Sequence, residues 1–215
     1  MTSRPAAGGG RWVEVDPARV GRWVEGFAGR HGTPTTTARE YGLLLAAPDG
    51  ATAELYAPPG APPGGDVAGF VASAVLPRRL GLLLARKGAV AVGVADGADL
   101  VVSKVDTRYV QGRTAAGGWS QQRFARRRDN QAKAALGDAA ELAVRLLLPE
   151  AATLAAVVCG GDRRAVDGVL ADRRLAPLVP LRAERLLDVP EPRHAVLVAA
   201  VGAARSVRIL VRDPD

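Results

Sequence analysis

The sequence predicts an α/β fold built around a mixed sheet. Segments in which apolar and polar residues alternate, as in half-buried strands, are interleaved with segments whose apolar residues recur every three or four positions, as in helices. Hydrophobic residues make up 48% of the 215 residues, which is enough for a packed core. Because only 4% are aromatic, this core is expected to consist mainly of Leu, Val and Ala.

The beginning of the chain predicts a tail, a strand and a helix. Residues 1–10 (MTSRPAAGGG) are expected to form a disordered tail, and RWVEV at 11–15 alternates as a strand does. Asp16 followed by Pro17 is typical of a helix start, because an Asp side chain caps exposed amides and proline suits the first helical position. The helix behind them has one apolar face, which is most simply core: Val20, Trp23, Val24 and Phe27.

Two strands and a boundary are expected next. REYGLLLAAPDGATAELYAPPG predicts two strands joined by the turn at 48–50. APPGAPPGG at 57–65 is rich in Pro and Gly, as linkers and exposed loops are. The sequence therefore predicts an N-terminal α/β segment at 11–65 and a larger domain at 66–215.

The larger domain is expected to contain three consecutive strands followed by a long helix. The strands are LGLLLARKG, AVAVGVADGADL and VVSKVDTRYVQGR, and the turn ADGAD is typical of a hairpin. After a glycine loop at 112–122, a helix of about 25 residues is expected from near Gln121 to Leu148. Its second half has apolar residues at helical spacing, whereas its first turns are nearly all polar and basic. We therefore expect a buried C-terminal end and an N-terminal end directed toward a partner.

The last part of the chain predicts another strand and helix. ATLAAVVCGGDRRAVDGVLAD indicates a strand, a Gly-Gly turn and a helix, and PRHAVLVAAV with SVRILVRD indicates either a helix and a strand or two final strands. Cys159 is expected to be a small buried residue. The glycines of CGGDRRAV could cradle phosphate at a helix N-terminus, but the full nucleotide-binding signature is missing, so a tight turn is the simpler interpretation.

Positive charge is concentrated in one stretch. The net charge is +7 and the pI is near 10.4. Between Lys104 and Lys133, eight basic and two acidic residues give +6, which leaves only +1 on the rest of the chain. Such concentration is not typical of a protein with solvated lysines throughout, and it predicts a polyanionic partner.

Several classes of protein and site are disfavoured. A single cysteine excludes an internal disulfide framework and a Cys-rich zinc site. The only histidines, His31 and His194, are accompanied by no Gly-x-Ser-x-Gly elbow and no His-x-x-x-His pair, which disfavours a hydrolytic triad or structural metal. No apolar run is long enough for a membrane span, and the N-terminus lacks a signal core. We expect a cytoplasmic protein with no membrane partner, cofactor or metal.

The segment GRTAAGGWSQQRFARRRDNQ at 112–131 combines features of an RNA-binding loop. Gly112, Gly117 and Gly118 allow a close approach of the backbone to another surface. Trp119 could stack on a nucleobase. The alternative is a mobile hairpin tip that leads into a solvated helix, but the coincidence of glycines, an aromatic ring, amides and the charge maximum favours contact with nucleic acid.

The basic residues of this segment have helical spacing. Arg123, Arg126 and Arg127 lie at positions i, i+3 and i+4, so they share one helical face and can contact successive phosphates. The same RNA-contacting surface is expected to include Arg113, Arg128 and Lys133.

Gln121 and Gln122 are compatible with a catalytic role that needs no proton transfer to their side chains, although their spacing alone does not indicate such a role. A glutamine has no pKa that suits a general base, but its amide and backbone N–H can orient a water molecule or stabilise a developing oxyanion. Hydrolysis of an ester that is already activated needs little further catalytic assistance.

The stretch GGWSQQRFARRRDNQ, with the three strands before it and LAAVVCGGDRRAV after the long helix, resembles the Vms-like release factor family, specifically its actinobacterial branch of peptidyl-tRNA hydrolases. That family is similar to the catalytic middle domain of eukaryotic and archaeal class-one release factors, whose Gly-Gly-Gln loop enters the ribosomal peptidyl-transferase centre. The resemblance implies a release-factor middle-domain-like fold with a ribonuclease H-related core, preceded here by an N-terminal α/β extension.

The resemblance also implies roles for particular residues. Gly117 and Gly118 match the loop glycines, Gln121 or Gln122 matches the catalytic glutamine, and the arginines at 123 and 126–128 match the basic helix that contacts tRNA or rRNA. Trp119 and Ser120 separate the glycines from the glutamines. This is therefore not a literal Gly-Gly-Gln, and the choice between the two glutamines stays open.

The expected function is codon-independent ribosome rescue. The resemblance implies hydrolysis of the ester that joins a nascent peptide to the 3′ adenosine of tRNA, with peptidyl-tRNA and the peptidyl-transferase centre of the large subunit as partners. No segment is recognisable as a stop-codon-reading domain, a zinc finger or ankyrin repeats. One alternative is a non-enzymatic RNA- or ribosome-binding module. Another is a ribonuclease H-type nuclease, which needs clustered carboxylates for two metals, whereas the candidates are scattered in sequence: Asp99, Asp106, Asp138 and Glu141.

Overall fold

The computed structural model describes residues 2–86, 88–107 and 120–214, with side chains for all of these except residue 2 and residues 120–133. The chain divides into two compact units. Unit 1 comprises Met1–Pro77 and Gly202–Asp215, and unit 2 comprises Arg78–Val201. Each unit contains its own sheet.

Unit 1 is built on a six-stranded sheet in which every neighbouring pair is antiparallel. The last strand of the chain lies inside this sheet, between the second and the fifth, so the spatial order is β1-β2-β11-β5-β4-β3. The strands are β1 (Thr2–Pro5), β2 (Arg11–Val15), β3 (Thr35–Arg39), β4 (Gly42–Ala46), β5 (Thr52–Tyr56) and β11 (Val207–Arg212).

Two helices cover one face of the unit 1 sheet. A 3-10 turn at Pro17–Arg19 leads into α1 (Val20–His31), and α2 spans Val67–Val75. The predicted cap is confirmed, since the Asp16 carboxylate accepts a 2.9 Å hydrogen bond from the Ala18 amide. The buried core between helices and sheet includes Val13, Val20, Phe27, Leu45, Leu55, Phe70 and Ile209.

The beginning of the chain and the domain boundary differ from the prediction. Residues 2–5, predicted as part of a disordered tail, pair with β2 as its antiparallel neighbour. The division lies at Pro77 and Arg78 rather than at 57–65, because Phe70 and Ala74 of α2 pack in the unit 1 core. The predicted domain at 66–215 also contains β11, whose pairing with β2 and β5 assigns it to unit 1.

Unit 2 contains a five-stranded mixed sheet, as predicted. Its order is β10-β9-β6-β7-β8, with β9 parallel to both of its neighbours and the remaining pairs antiparallel. The three consecutive strands and the hairpin of the prediction are confirmed. The strands are β6 (Arg79–Arg86), β7 (Ala89–Asp96), β8 (Asp99–Thr107), β9 (Ala156–Gly161) and β10 (Arg182–Leu187).

Helices follow the strands of unit 2 where the sequence places them. The long helix α3 (Ser120–Leu147) agrees with its predicted range to within one residue, and α4 (Arg163–Leu170) follows β9. Two 3-10 segments, Leu148–Glu150 and Arg173–Leu181, connect the elements, and α5 (His194–Arg205) precedes β11. A helix and a strand, rather than two strands, therefore end the fold.

The two glycines predicted to form a turn after the strand are instead the last two residues of β9, and they pair with Leu84 and Ala85 of β6. Gly161 has φ +96°, and a Cβ at this position would lie 2.3 Å from the carbonyl oxygen of Ala85. The Asp162 carboxylate then caps α4 by accepting a 2.8 Å hydrogen bond from the Arg164 amide. Cys159 is buried as predicted, and burial raises the pKa of its thiol to about 11.

Candidate functional site at the start of the long helix

The C-terminal half of α3 is anchored in the core of unit 2. Its buried residues share a cluster with Val92 of β7, Val157 of β9 and Val166 of α4. They recur at helical spacing, as the sequence predicts: Ala139, Ala140, Leu142, Ala143 and Leu147. Close packing on this side anchors the C-terminal half of the helix in unit 2.

Arg174 links α3 to the 3-10 segment Arg173–Leu181. Its guanidinium donates a 2.7 Å hydrogen bond to Glu141 of α3, and it also contacts both carboxylate oxygens of Asp172, at 3.1 and 2.9 Å. The side-chain hydrogen bond from Arg174, followed by its backbone amide, lowers the pKa of Asp172 to about 2. Sequence reasoning missed this positioning residue, because the pairing joins residues 33 positions apart in the chain.

The strand that leads toward the predicted loop lies at the edge of the unit 2 sheet. β8 pairs antiparallel with β7 and ends at Thr107, and α3 begins at Ser120. The Lys104 side chain on β8 is exposed, at the beginning of the basic stretch. The last three residues of the predicted loop, 120–122, are therefore helical, and its residues 112–119 lie outside the described structure.

The predicted site residues fall into two groups. Gly117, Gly118, Trp119 and Arg113 lie outside the described residues. The others lie on the helical backbone of α3, although their side chains are outside the described part of the structure. This second group comprises Gln121, Gln122, Arg123, Arg126, Arg127, Arg128 and Lys133.

The start of α3 gives the two glutamines a distinctive backbone environment. The first four N–H groups of an α-helix have no acceptor within the helix, and Gln121 and Gln122 fall within the first four residues of α3. The helix dipole adds partial positive charge at the same end. The first turn of α3 is thus chemically suited to stabilise negative charge that develops on an oxygen atom.

The basic residues occupy successive turns behind the glutamines. The stretch from Ser120 to Lys133 rises by about 20 Å along the helix axis, at about 1.5 Å per residue. That length is sufficient for several phosphates of one RNA strand. The helical conformation on which the predicted i, i+3, i+4 spacing depends is therefore present.

Glu141 and His31, two of the other candidate residues, have structural partners. Within residues 2–86, 88–107 and 120–214, no group of three or more His, Cys, Asp or Glu side chains is arranged to hold a metal ion. Glu141, one of the carboxylates considered for a nuclease, pairs with Arg174. His31 contacts Asp49 at 2.8 Å through Nδ1, and Asp49 also accepts a bond from the Ala51 amide, so the pair closes a turn in unit 1.

No helix in the described ranges has both the length and the apolar character required to cross a membrane.

Comparison with protein families identifies one match. The model of the family described as "Actinobacteria/chloroflexi VLRF1 release factor" matches residues 78–210. This range is well over half of the chain, begins at the first residue of unit 2 and includes β9, α3, α4 and most of β11. No curated protein matches the sequence significantly.

Several solved structures are detectably similar to this chain, among them two archaeal proteins. A crystal structure of the archaeal translation termination factor aRF1 is 23% identical with a TM-score of 0.44, covering 59% of this chain and 34% of that one. A structure described as an archaeal protein is 17% identical with a TM-score of 0.39, covering 73% of this chain and 48% of that one. The chain therefore spans a third to a half of the length of these proteins.

Proposed function

This chain belongs to the Actinobacteria/chloroflexi VLRF1 release factor family, and we propose that it is a codon-independent peptidyl-tRNA hydrolase that releases nascent peptides from stalled ribosomes or free large subunits. Family membership assigns it to translation and to the ribosome. We propose three further features: the ester substrate, the glutamine-dependent chemistry and the role in ribosome rescue.

The observation that carries the proposal is the position of Gln121 and Gln122 at the start of a helix whose other end is anchored. The anchored half of α3 is buried against the sheet of unit 2. The first turn, whose backbone N–H groups have no acceptor within the helix, includes Ser120, Gln121 and Gln122, the last three residues of the predicted glycine loop. A rigid element that ends in oxyanion-stabilising groups is what hydrolysis of an activated ester requires.

The proposed reaction is a single acyl transfer to water. A water molecule attacks the carbonyl carbon of the ester, and negative charge develops on the carbonyl oxygen. The C–O bond to the tRNA then breaks, the 3′ oxygen takes up one proton of the attacking water and leaves as a hydroxyl, and the peptide leaves as a carboxylate after the other proton passes to solvent. Gln121, or alternatively Gln122, positions the water and stabilises the charge, while Gly117 and Gly118 allow close approach to the ester.

The arginine-rich turns of α3 provide the proposed RNA-binding surface. Arg123, Arg126 and Arg127 contact successive phosphates, with Arg128, Lys133 and Arg113 extending the basic surface. Trp119 stacks on an unpaired base. These contacts hold the ester at the start of α3 and account for the concentration of +6 charge between Lys104 and Lys133.

The test is release of labelled peptide from peptidyl-tRNA bound to purified large ribosomal subunits. We expect Gln121→Ala/Gln122→Ala to lower the release rate by about 10²–10³-fold while binding to the subunit at matched salt is unchanged. Gln131→Ala, on the same helix but beyond its first turns, is the matched control and should release at the wild-type rate. EDTA-treated protein should retain activity. Undiminished release by the double variant would refute the glutamine mechanism.

The charge concentration also supports a second candidate, a non-enzymatic RNA- or ribosome-binding module. It predicts that Arg126→Glu/Arg127→Glu abolishes binding and that the glutamine substitutions have no effect. Both candidates predict weakening of binding by salt, since both use phosphate contacts. Binding without release by wild-type protein would favour the module.

A further inference from the structure

The unit 1 sheet has a second face, opposite the one that α1 and α2 cover. Residues directly opposite each other in antiparallel strands point to the same side of a sheet. Val13, Ile209 and Leu55 are paired in this way across β2, β11 and β5, and they form the helix-covered core. The intervening positions therefore form the second face, and on β2 and β5 these include Trp12 and Tyr56.

Three aromatic rings form a row on this face. Trp12 of β2 and Tyr56 of β5 have ring centroids 5.3 Å apart with planes tilted by 58°. Tyr41, in the turn before β4, stacks on Tyr56 with centroids 4.4 Å apart and planes at 19°. All three side chains are half-buried, so the row retains exposed aromatic surface in a chain that is only 4% aromatic.

Arg208 of β11 holds this row in place. It lies opposite Tyr56 in the register, and its guanidinium carbon is 4.0 Å from the centroid of the Trp12 ring. Its Nε atom is buried and has no hydrogen-bond partner among the described residues. Burial lowers the pKa of Arg208, and the nearby charge of Arg4 lowers it further, while Glu14 and Tyr56 oppose the shift. Because Arg208 has lost part of its hydration and lies near the positive charge of Arg4, an anion bound beside it would be stabilised.

The charges of the face also favour an anion. The register places Arg4, Arg39, Arg208 and Arg212 on this side, against the carboxylates Glu14 and Glu54. Glu54 is already engaged, since it pairs with Arg212 and accepts a 3.0 Å hydrogen bond from the Tyr56 hydroxyl. Arg4 and Arg39 are exposed, on strands near opposite edges of the sheet.

We propose that this face, defined by Trp12, Tyr41, Tyr56, Arg4, Arg39 and Arg208, binds an unpaired segment of RNA. Bases stack along the aromatic row, and Arg4 and Arg39 contact phosphates on either side of it. RNA is favoured over a protein partner because the face carries four arginines against two carboxylates, and this net positive charge suits a phosphate backbone. Duplex RNA is disfavoured because its base faces are not available for stacking. The inference rests on the ribosomal role of the family and not on hydrolysis.

The test measures fluorescence anisotropy of labelled single-stranded RNA of about 12 nucleotides, a length that suits a small stacking surface. The full chain is used with Arg126→Glu/Arg127→Glu as background, so that the basic turns of α3 do not dominate binding. In this background we expect Trp12→Leu to weaken binding about tenfold and Trp12→Phe, which preserves an aromatic face, to weaken it less than about threefold. Arg4→Glu should lower the slope of log affinity against log salt by about 0.7 for each phosphate that the variant no longer neutralises.

Controls distinguish loss of RNA binding at this face from loss of folding and from a general effect of changed net charge. Arg22→Glu makes the same charge change at an exposed position of α1, on the helix-covered side, and should leave affinity unchanged. Circular dichroism verifies that each variant is folded. If Trp12→Leu is unfolded, Arg4→Glu/Arg39→Glu decides the question, because both positions are exposed. Equal affinity for a duplex of the same length, equal affinity of all folded variants, or photo-crosslinks that map only outside the sheet would overturn the proposal.

Discussion

At the scale of single residues, Gln121 and Gln122 are adjacent in sequence but occupy different positions around the axis of α3. Consecutive residues of an α-helix are about 100° apart around its axis, and both lie in the first turn of α3. The backbone therefore separates the two positions around the helix axis, and single substitutions can assign the proposed role to one of them. This geometry makes the pair a direct test of the proposed chemistry.

Single substitutions should separate the two glutamines. We expect Gln121→Ala to lower the rate of peptide release by about 10²–10³-fold, because one oxyanion-stabilising donor is removed, and Gln122→Ala to lower it only a few-fold. Single-turnover release on large subunits, with subunit binding measured in parallel, provides the comparison. The reverse order would assign the catalytic role to Gln122. Equal small effects would contradict a glutamine-centred mechanism.

Cys159 shows at the same scale why a reactive residue type is not by itself a site. Its thiol is buried on β9 in the unit 2 core, and burial raises its pKa to about 11. A thiol is a nucleophile only as the thiolate. Cys159 therefore acts as a small core residue, which confirms the simpler interpretation of the sequence.

At the scale of elements, two glycines of unit 2 differ in whether their backbone positions could accept a side chain. Gly161 ends β9 at φ +96°, with the carbonyl oxygen of Ala85 where a Cβ would be. Gly137 lies in the middle of α3, and a Cβ there would meet nothing within 4 Å. The first glycine is required by its positive φ and by the close approach of the Ala85 backbone at the end of β9, whereas the second only weakens the helix.

Alanine substitutions at these positions should shift stability in opposite directions. Gly161→Ala is expected to lower the free energy of unfolding by about 1–3 kcal/mol, because alanine is strained at positive φ and its Cβ meets backbone. Gly137→Ala is expected to raise it by about 0.5–1 kcal/mol, since alanine has less conformational entropy to lose in a helix. Urea titration followed by circular dichroism measures both. An unchanged urea midpoint for Gly161→Ala would show that the end of β9 can rearrange to accept a side chain.

At the scale of the whole molecule, the last strand joins distant parts of the sequence. β11 lies between β2 and β5, where Ile209 pairs with Val13 on one side and Leu55 on the other. The N-terminal half of unit 1 therefore depends on residues near the end of the chain. This dependence explains why no single cut in the sequence separates the two units.

Removal of β11 should disrupt unit 1. Deleting residues 207–215 leaves β2 and β5 without the strand that joins them, so we expect loss of hydrogen-exchange protection at the Val13 and Leu55 amides. Deleting residues 1–5 removes only the edge strand β1 and is the matched control. Amide exchange followed by NMR measures the outcome. Retained protection after the first deletion would contradict a central role for β11.

The sequence by itself determined the local elements and the character of the candidate site. Alternation and helical periodicity identified β2, β4 to β9, α1, α3 and α4, because these patterns report which side of an element faces apolar surroundings. The Asp16 cap was readable because its partner amide is two residues away. The charge maximum was visible directly, and the glycine and glutamine roles came from a resemblance; those roles stay predictions.

Only the tertiary structure decided which distant segments meet. It made residues 2–5 a strand, assigned α2 and β11 to unit 1, and linked Glu141 to Arg174. It also brought Trp12, Tyr56 and Arg208 together on one sheet face, although 152 positions separate Tyr56 from Arg208. Local sequence patterns record only the burial of each segment. The choice of strand partner depends on long-range packing and backbone hydrogen bonds that no short window of sequence contains.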